Sequence, residues 1–500
     1  MALLGQSIPY REAEIEQDIF LTDEARKQGV YVIGTTGTGK TSLLTSIIAQ
    51  DMAAQEKPAV IVLDPHGDMI DELITLVPHD RRKEVTLFSP ADRIDQYNYP
   101  VGLNILEHDR NDPHEREFVS STLISILYKL FFYTWGARME DLLRNSVLTV
   151  MEQENATLLD LWLTLVKQMS VHPKDRNLSD LLPNPNDPYL WAFWHEQVGK
   201  YSTTEKAEVF SSSLNKLGRF LGNPIVRNVV AQEQSGFSMK TVMNEGKILF
   251  CNLAKGDLGE DNSSLLGAVI INMILIAALS RRNTPPDQRR PVHLVVDEYQ
   301  TFATESFPIL QSEARKYGIT VTVAHQYRDQ LDDLNKGSTM NCANFICLRV
   351  SGRDAEELAS QFDNTPPPPD VTYQAMREAV PDFPGFFRAI PEEIMVPLPR
   401  RMYSDVQQER ANQLTILPNR QALVRVMSQQ KIDGDFTEHE QLVEYRVRLH
   451  KVRADISEVE KEDLIDGIRK RSRGRLDRKT LEDRIWKRIQ QYNIAAPKGY

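Results

Sequence analysis

Eight consecutive residues, Gly34-Thr35-Thr36-Gly37-Thr38-Gly39-Lys40-Thr41, carry the most specific chemistry in this chain. Their glycines let a backbone fold around a phosphate chain, so that successive N–H groups and a helix start face negative charge. Lys40 is the cation that reaches terminal phosphates, and the Thr41 hydroxyl is a suitable Mg²⁺ ligand. An apolar strand-like run (Gly29 to Ile33) precedes this turn, and a helix-like run (Ser42 to Gln50) leaves it. That strand–turn–helix context is what a phosphate loop requires. The pattern predicts that residues 34–42 bind ATP with Mg²⁺.

A second group of residues says what is done with the nucleotide. The run His293-Leu294-Val295-Val296-Asp297-Glu298 reads as a buried strand ending in two adjacent acids. Such a strand delivers both carboxylates to the sheet edge from which the phosphate loop leaves. Asp297 is expected to hold the Mg²⁺ hydration shell opposite Thr41, and Glu298 to orient and deprotonate the attacking water. An adjacent Asp-Glu pair favours hydrolysis over phosphoryl transfer to a metabolite. The next strand-like run, Ile319 to Ala324, ends in His325-Gln326. Gln326 at its tip is placed to touch the γ-phosphate or its water. Between these runs, Ser312 to Gly318 reads as a helix closed by a glycine. Its Arg315 is either an arginine finger or a cation complementing the helix dipole, and spacing leaves both open. The run Leu63-Asp64-Pro65-His66-Gly67-Asp68 brings a further acid, Asp64, to the same edge; His66 and Asp68 lack a partner at metal-ligand spacing.

The elements that must position these groups are strand-like runs of the buried, parallel-sheet kind. They fall at Val30–Gly34, Ala59–Asp64, Val85–Ser89, Ile248–Leu253, His293–Glu298, Ile319–His325 and Phe345–Val350. Most are separated by helix-length segments, which predicts an α/β fold with a doubly wound parallel sheet. Between Ser89 and Lys247 strand signal is lacking, and helical patterns recur at Glu115–Leu130, Met139–Gln153, Leu158–Met169 and Glu205–Leu221. The expected organisation is an N-terminal segment (1–28), a first ATPase part (29–104), an all-α insertion (105–245) and a second ATPase part (246–365). A β-containing extension (366–456), after the stiff Pro366–Pro369, and a basic helical tail (457–500) complete it.

Composition excludes several classes. The formal net charge of −11 argues against a uniformly basic nucleic-acid coat, though a local basic surface is compatible with it. Cys251, Cys342 and Cys347 lack paired metal spacing, and a reducing cytosol fits them best. No signal-peptide pattern opens the chain. The longest apolar run, Leu265–Leu279, contains Asn272 and reads as a buried helix rather than a membrane span. The basic run Arg469 to Arg475 suits either a solvated helix face or contact with nucleic acid or an acidic partner.

Taken together, Gly34–Thr41, Leu63–Asp68, Asn104-Ile105-Leu106, Gly136–Glu140 with Leu143-Arg144-Asn145, Val296–Phe302, Ser312–Gly318 and Ala324–Tyr327 resemble the type IV secretion coupling-protein ATPases of conjugation. These belong to the HerA/FtsK branch of RecA-like motors. The resemblance runs from about Gly29 to Val350, with a weaker echo in Ala422–Val426. It implies a RecA-like sheet, a hexameric ring with ATP sites between subunits, and DNA, single- or double-stranded, in a central channel. It also implies an all-α cap at the channel mouth where relaxase-complex or secretion-channel proteins dock. By position, Lys40 and Thr41 match the phosphate and Mg²⁺ residues, Asp297 and Glu298 the acidic pair, and Gln326 the strand-tip sensor. Arg315 matches an arginine that reaches the neighbouring subunit's nucleotide. The family's usual N-terminal membrane helices have no counterpart in the 28 residues before the first strand, so a cytoplasmic location is expected, with any membrane recruitment through a partner. A HerA-like translocase assembled with a nuclease, or a nucleotide-dependent secretion scaffold, are the alternatives. Candidate pore segments are Lys255–Ser263 and Asp329–Lys336.

Overall fold

The computed structural model describes residues 1–8, 16–92, 98–171, 178–304, 306–362, 371–379, 387–395, 403–428, 431–432, 435–436, 441–454 and 456–492. Fifteen strands occur among them: β1 Ala2–Ser7, β2 Asp18–Leu21, β3 Val30–Ile33, β4 Ala59–Asp64, β5 Val85–Phe88, β6 Ile248–Asn252, β7 Val292–Val296, β8 Ile319–His325 and β9 Asn344–Cys347. The others are β10 Val371–Ala379, β11 Phe387–Met395, β12 Gln421–Ser428, β13 Lys431–Ile432, β14 Asp435–Phe436 and β15 Gln441–Leu449. Eleven strands form one sheet in the order β2-β1-β15-β12-β9-β3-β8-β7-β4-β6-β5. From β9 to β5 every neighbour pair is parallel; from β2 to β9 every pair is antiparallel. All seven strands of the buried, parallel kind expected from the sequence lie in the parallel part. The α/β, RecA-like class read from the sequence is the class observed.

The parallel strands are apolar throughout, such as Val-Tyr-Val-Ile in β3, because both faces of that sheet are covered. Alternate residues feed two cores. Val30 and Val32 pack with the helix Lys40–Met52 on one face, while Tyr31 and Ile33 join the other. That second core runs without interruption into the helices between β5 and β6, which include Pro113–Phe131, Ala137–Met151, Leu158–Ser170 and Thr203–Leu221. Sequence signals place the first and last of these: Asp112 caps Pro113–Phe131 with Pro113 following, and Ser202 with Glu205 forms a capping box. The helix Glu260–Ser280 is long and apolar enough to cross a membrane by composition, but its apolar window is 78% buried within the fold.

Segments 1–28 and 366–456 both lend strands to the ATPase sheet: β1 and β2 from the first, β12 and β15 from the second. The tail forms two helices, Glu458–Ser472 and Arg478–Gln491, tied back onto the body. Arg469 pairs with Asp92 at 2.6 Å, and Arg488 with Asp160 at 2.7 Å and Glu233 at 2.6 Å. Part of the basic charge that the sequence offered to an external partner is therefore neutralised within the chain. The expected pore segments are also structured. Lys255–Ser263 falls in the helix Lys255–Leu258 and the first turn of Glu260–Ser280, and Asp329 is held by Lys336 at 3.3 Å and Arg353 at 2.7 Å. Pro366–Pro369 lies outside the described residues.

Candidate nucleotide-hydrolysing site

The phosphate loop joins β3 to the helix Lys40–Met52, and its shape follows from two left-handed glycines. Gly37 has φ 80° with open space where a Cβ would stand, and Gly39 has φ 111°. These values are strained for any other residue. The segment after β9 anchors the loop, with Thr35 N donating to Arg349 O at 2.9 Å, and Thr38 Oγ1 closes it internally on Thr35 O at 2.7 Å. Thr36, Gly37 and Thr41 are exposed at its mouth, whereas Lys40 is buried.

Lys40 meets the acids as the sequence predicts. Its Nζ donates to Glu298 Oε1 at 2.5 Å and lies 3.8 Å from Asp297 Oδ1. Both carboxylates are buried just beyond the end of β7. Glu298 adopts a left-handed backbone (φ 43°, ψ 50°), unusual for a side chain of its size and a form of strain that gathers at functional sites. Its other oxygen accepts from Gln300 Nε2 at 2.7 Å. Gln326, just after β8, hydrogen-bonds Glu298 and accepts from Thr36 Oγ1 at 2.9 Å. A closed ring thus links Thr36, Gln326, Glu298 and Lys40 across the loop, β8 and β7.

Electrostatics divides the two acids. Burial pushes Asp297 up to about 6; Lys40 opposes that, while the charges of Glu298 and Asp64 add to it. Burial acts on Glu298 too, but there the charge and hydrogen bond of Lys40, with Gln300 and Gln326, outweigh it and hold the carboxyl below its usual range. Asp64 ends β4 and caps the helix Asp68–Thr75, accepting from His66 N at 2.8 Å and Met69 N at 3.1 Å. Under the loop, His325 Nε2 lies 2.5 Å from Tyr31 Oη, and burial drives the imidazole down to about 3, so it stays neutral.

The donor set fits a Mg²⁺-nucleotide. An exposed threonine hydroxyl at a helix start, a carboxylate whose pKa is raised by burial and a backbone cradle open at Gly37 are complementary to it. Arg315 is the exception to this convergence. It is exposed in the short helix Ala314–Tyr317 before β8, at the opposite end of the strand from Gln326. Two contributors were not recognised from sequence as site residues. Gln300 holds Glu298, and Lys129 of the inserted helices donates to Gln300 O at 3.2 Å and to Ala303 O. Desolvation takes Lys129 down to about 8. A lysine within an amphipathic helix carries no local sign of such a role.

A phosphate loop, an acidic strand end and an intervening glutamine-tipped strand on a RecA-like sheet define a P-loop NTPase. Residues 22–241 match the family model for the central domain of helicase HerA. Over those residues the chain is thus similar to the HerA branch of P-loop ATPases, and the match spans less than half of its length. No curated protein matches the chain in sequence. Among solved structures, the bacterial conjugative coupling protein TrwB (its ΔN70 form) superposes with a TM-score of 0.52 at 15% identity, covering 87% of this chain and 89% of that one. TrwB in complex with ADP and Mg²⁺ gives 0.50 at 16% identity, over 87% and 88%. VirB4 of Thermoanaerobacter pseudethanolicus gives 0.51 at 12% identity, over 90% and 96%. At these identities the likeness is one of fold.

Proposed function

We propose that this protein is an ATP-hydrolysing DNA translocase akin to conjugative coupling proteins, working as a homo-hexameric ring with DNA in its channel. The observation that carries the reading is the buried contact of Lys40 with Glu298 beside Asp297. It supports a reading in which the phosphate-binding cation and the water-activating acid share one site.

ATP entering the loop draws Lys40 from Glu298 to its β- and γ-phosphates. Glu298, relieved of its counter-ion, accepts a proton from water as the water oxygen bonds to the γ-phosphorus. The bond to the β–γ bridging oxygen breaks and ADP carries off that electron pair. Thr41 and Asp297 would hold Mg²⁺, which neutralises charge on the phosphate oxygens. Gln326 exchanges its contacts with Thr36 and Glu298 for the γ-phosphate, so its position differs before and after hydrolysis. Arg315 serves a neighbouring subunit's nucleotide. Loops lining the channel then move along DNA through contacts to phosphates, which makes binding salt-sensitive and weakly sequence-specific.

The test is ATP turnover with and without DNA. Wild type should be stimulated several-fold by DNA. Turnover indifferent to DNA would remove the translocase and leave a nucleotide-dependent secretion scaffold. The match to the HerA central domain favours a second reading: a cytoplasmic HerA-like translocase partnered with a nuclease in repair or phage defence. A neighbouring relaxase gene supports the first reading, and a nuclease gene the second. In either case a cytoplasmic location is proposed, with membrane recruitment, if any, through a partner.

A further inference from the structure

The phosphate loop has two flanks, and only one holds the acids. On the β8 and β7 side stand Gln326, Asp297 and Glu298; on the other, β9 and β12 bring up two arginines, Arg349 and Arg420. Arg349 braces the turn before β12, with its guanidinium on Leu417 O at 3.3 Å and Asn419 Oδ1 at 2.9 Å. Its carbonyl accepts from both the N–H (2.9 Å) and the hydroxyl (3.1 Å) of Thr35.

Arg420 lies at the end of that turn in a left-handed conformation, φ 62°. Its N–H donates to Thr38 O at 2.8 Å, and its carbonyl accepts from Leu449 N at 2.9 Å. The backbone is thereby clamped between the phosphate loop and β15. The side chain starts across the loop: a Cβ on Gly39 would stand 3.3 Å from Arg420 Cγ. Beyond that point the residue is exposed, and its guanidinium has no hydrogen bond or ion pair among the described residues. An arginine held in a costly backbone conformation, directed over a phosphate cradle and left unpaired is arranged for a ligand.

We infer that Arg420 is a nucleotide-binding residue of its own subunit, gripping the α/β-phosphate end of the bound nucleotide from the flank opposite the acids. The inference rests on the phosphate-loop reading above. Because the γ-phosphate faces Glu298 and Gln326, the rest of the nucleotide extends toward β9 and β12. A guanidinium there forms charge-assisted bonds with phosphate oxygens, and these are shared by ATP and ADP. Arg420 therefore sets affinity for both nucleotides, and its loss falls on KM more than on kcat.

The experiment is titration of the full chain with a fluorescent ADP analogue. Arg420→Gly is the informative variant, because glycine accepts the left-handed backbone and keeps the N–H to Thr38. It should bind the analogue about tenfold more weakly, in keeping with loss of one charge-assisted contact, with Arg420→Lys intermediate and thermal stability not reduced. Wild-type affinity in Arg420→Gly overturns the inference while leaving the NTPase reading intact. Failure of wild type to bind the analogue overturns the NTPase reading itself.

Discussion

The two edges of the parallel sheet handle charge in opposite ways. At the C-terminal edge Lys40, Asp297, Glu298 and Asp64 are buried, and their hydrogen bonds close within one chain. At the N-terminal edge the buried Arg281 is spent on the carbonyls of Met243 (2.6 Å), Arg290 (3.0 Å) and Tyr317 (3.1 Å), while Arg315 faces outward. The length of β8 separates the edges, roughly 20 Å at the usual rise per strand residue. No side chain spans that distance. Arg315 therefore cannot reach the Glu298 of its own chain, and any service it gives to hydrolysis would be given to another copy of the chain.

The largest effect expected is from Lys40→Ala. It removes the phosphate-binding cation and also leaves two adjacent buried carboxylates without a counter-ion. Nucleotide binding should drop by at least about 100-fold, since hydrogen-bonded charge contacts to several phosphate oxygens go together. Measured by calorimetry, undiminished affinity would dissociate the C-terminal edge from nucleotide. Glu298→Gln comes next: turnover should fall by about 10²–10⁴-fold, the range for loss of a general base, with nucleotide binding retained. Retained turnover would move the base elsewhere.

Arg315→Ala addresses the other edge. Turnover should fall by about 10²–10³-fold, the scale for one charge-stabilising donor. Mixed with Glu298→Gln, activity should return in part, because a Glu298→Gln subunit still offers its arginine to a neighbour's intact acids. No recovery in mixed assemblies would confine Arg315 to its own subunit or to packing.

The same contrast explains what the chain disclosed before folding. The phosphate loop, the acids and Gln326 are local patterns: glycine spacing, apolar runs and the polar residue that ends each. All seven parallel strands could be read for the same reason. In the antiparallel half, strands within 366–456 were expected, and β12 and β15 fall there, but their pairing was not legible. β1 pairs with β15 and β15 with β12, and Gly5 opposite Leu449 is a pairing that no local periodicity encodes. Continuity of the helical insertion with the sheet's core was hidden too, since an amphipathic helix does not say what it covers. The tail's partners within the chain were hidden for a related reason. Arg469 and Arg488 look available until Asp92, Asp160 and Glu233 arrive from elsewhere in the chain. At Lys255–Ser263, glycine and acidic residues suggested a loop, yet Gly259 at φ 83° is the junction between two helices.

The smallest effect separates the two acids of the nucleotide-binding edge. Asp297 has its pKa raised to about 6, with burial the main cause, so the folded chain holds that proton more tightly than the unfolded chain does. The sign follows from this. The contribution favours the folded state at low pH and is lost as pH rises from the ordinary aspartate value through about 6. Keeping the carboxylate buried above that range costs up to about 3 kcal/mol. Asp297→Asn removes the titration while preserving shape, so its melting temperature should match wild type near pH 4 and exceed it by about 2–5 °C at pH 7. Glu298→Gln should show the reverse trend, because Glu298 is held below its usual range and its contribution is lost only as pH falls through that lowered value. Mg²⁺ with ADP should narrow the Asp297→Asn difference at pH 7, since a cation at that carboxylate favours its charged form. A difference that is flat with pH would mean that folding does not raise the pKa of Asp297.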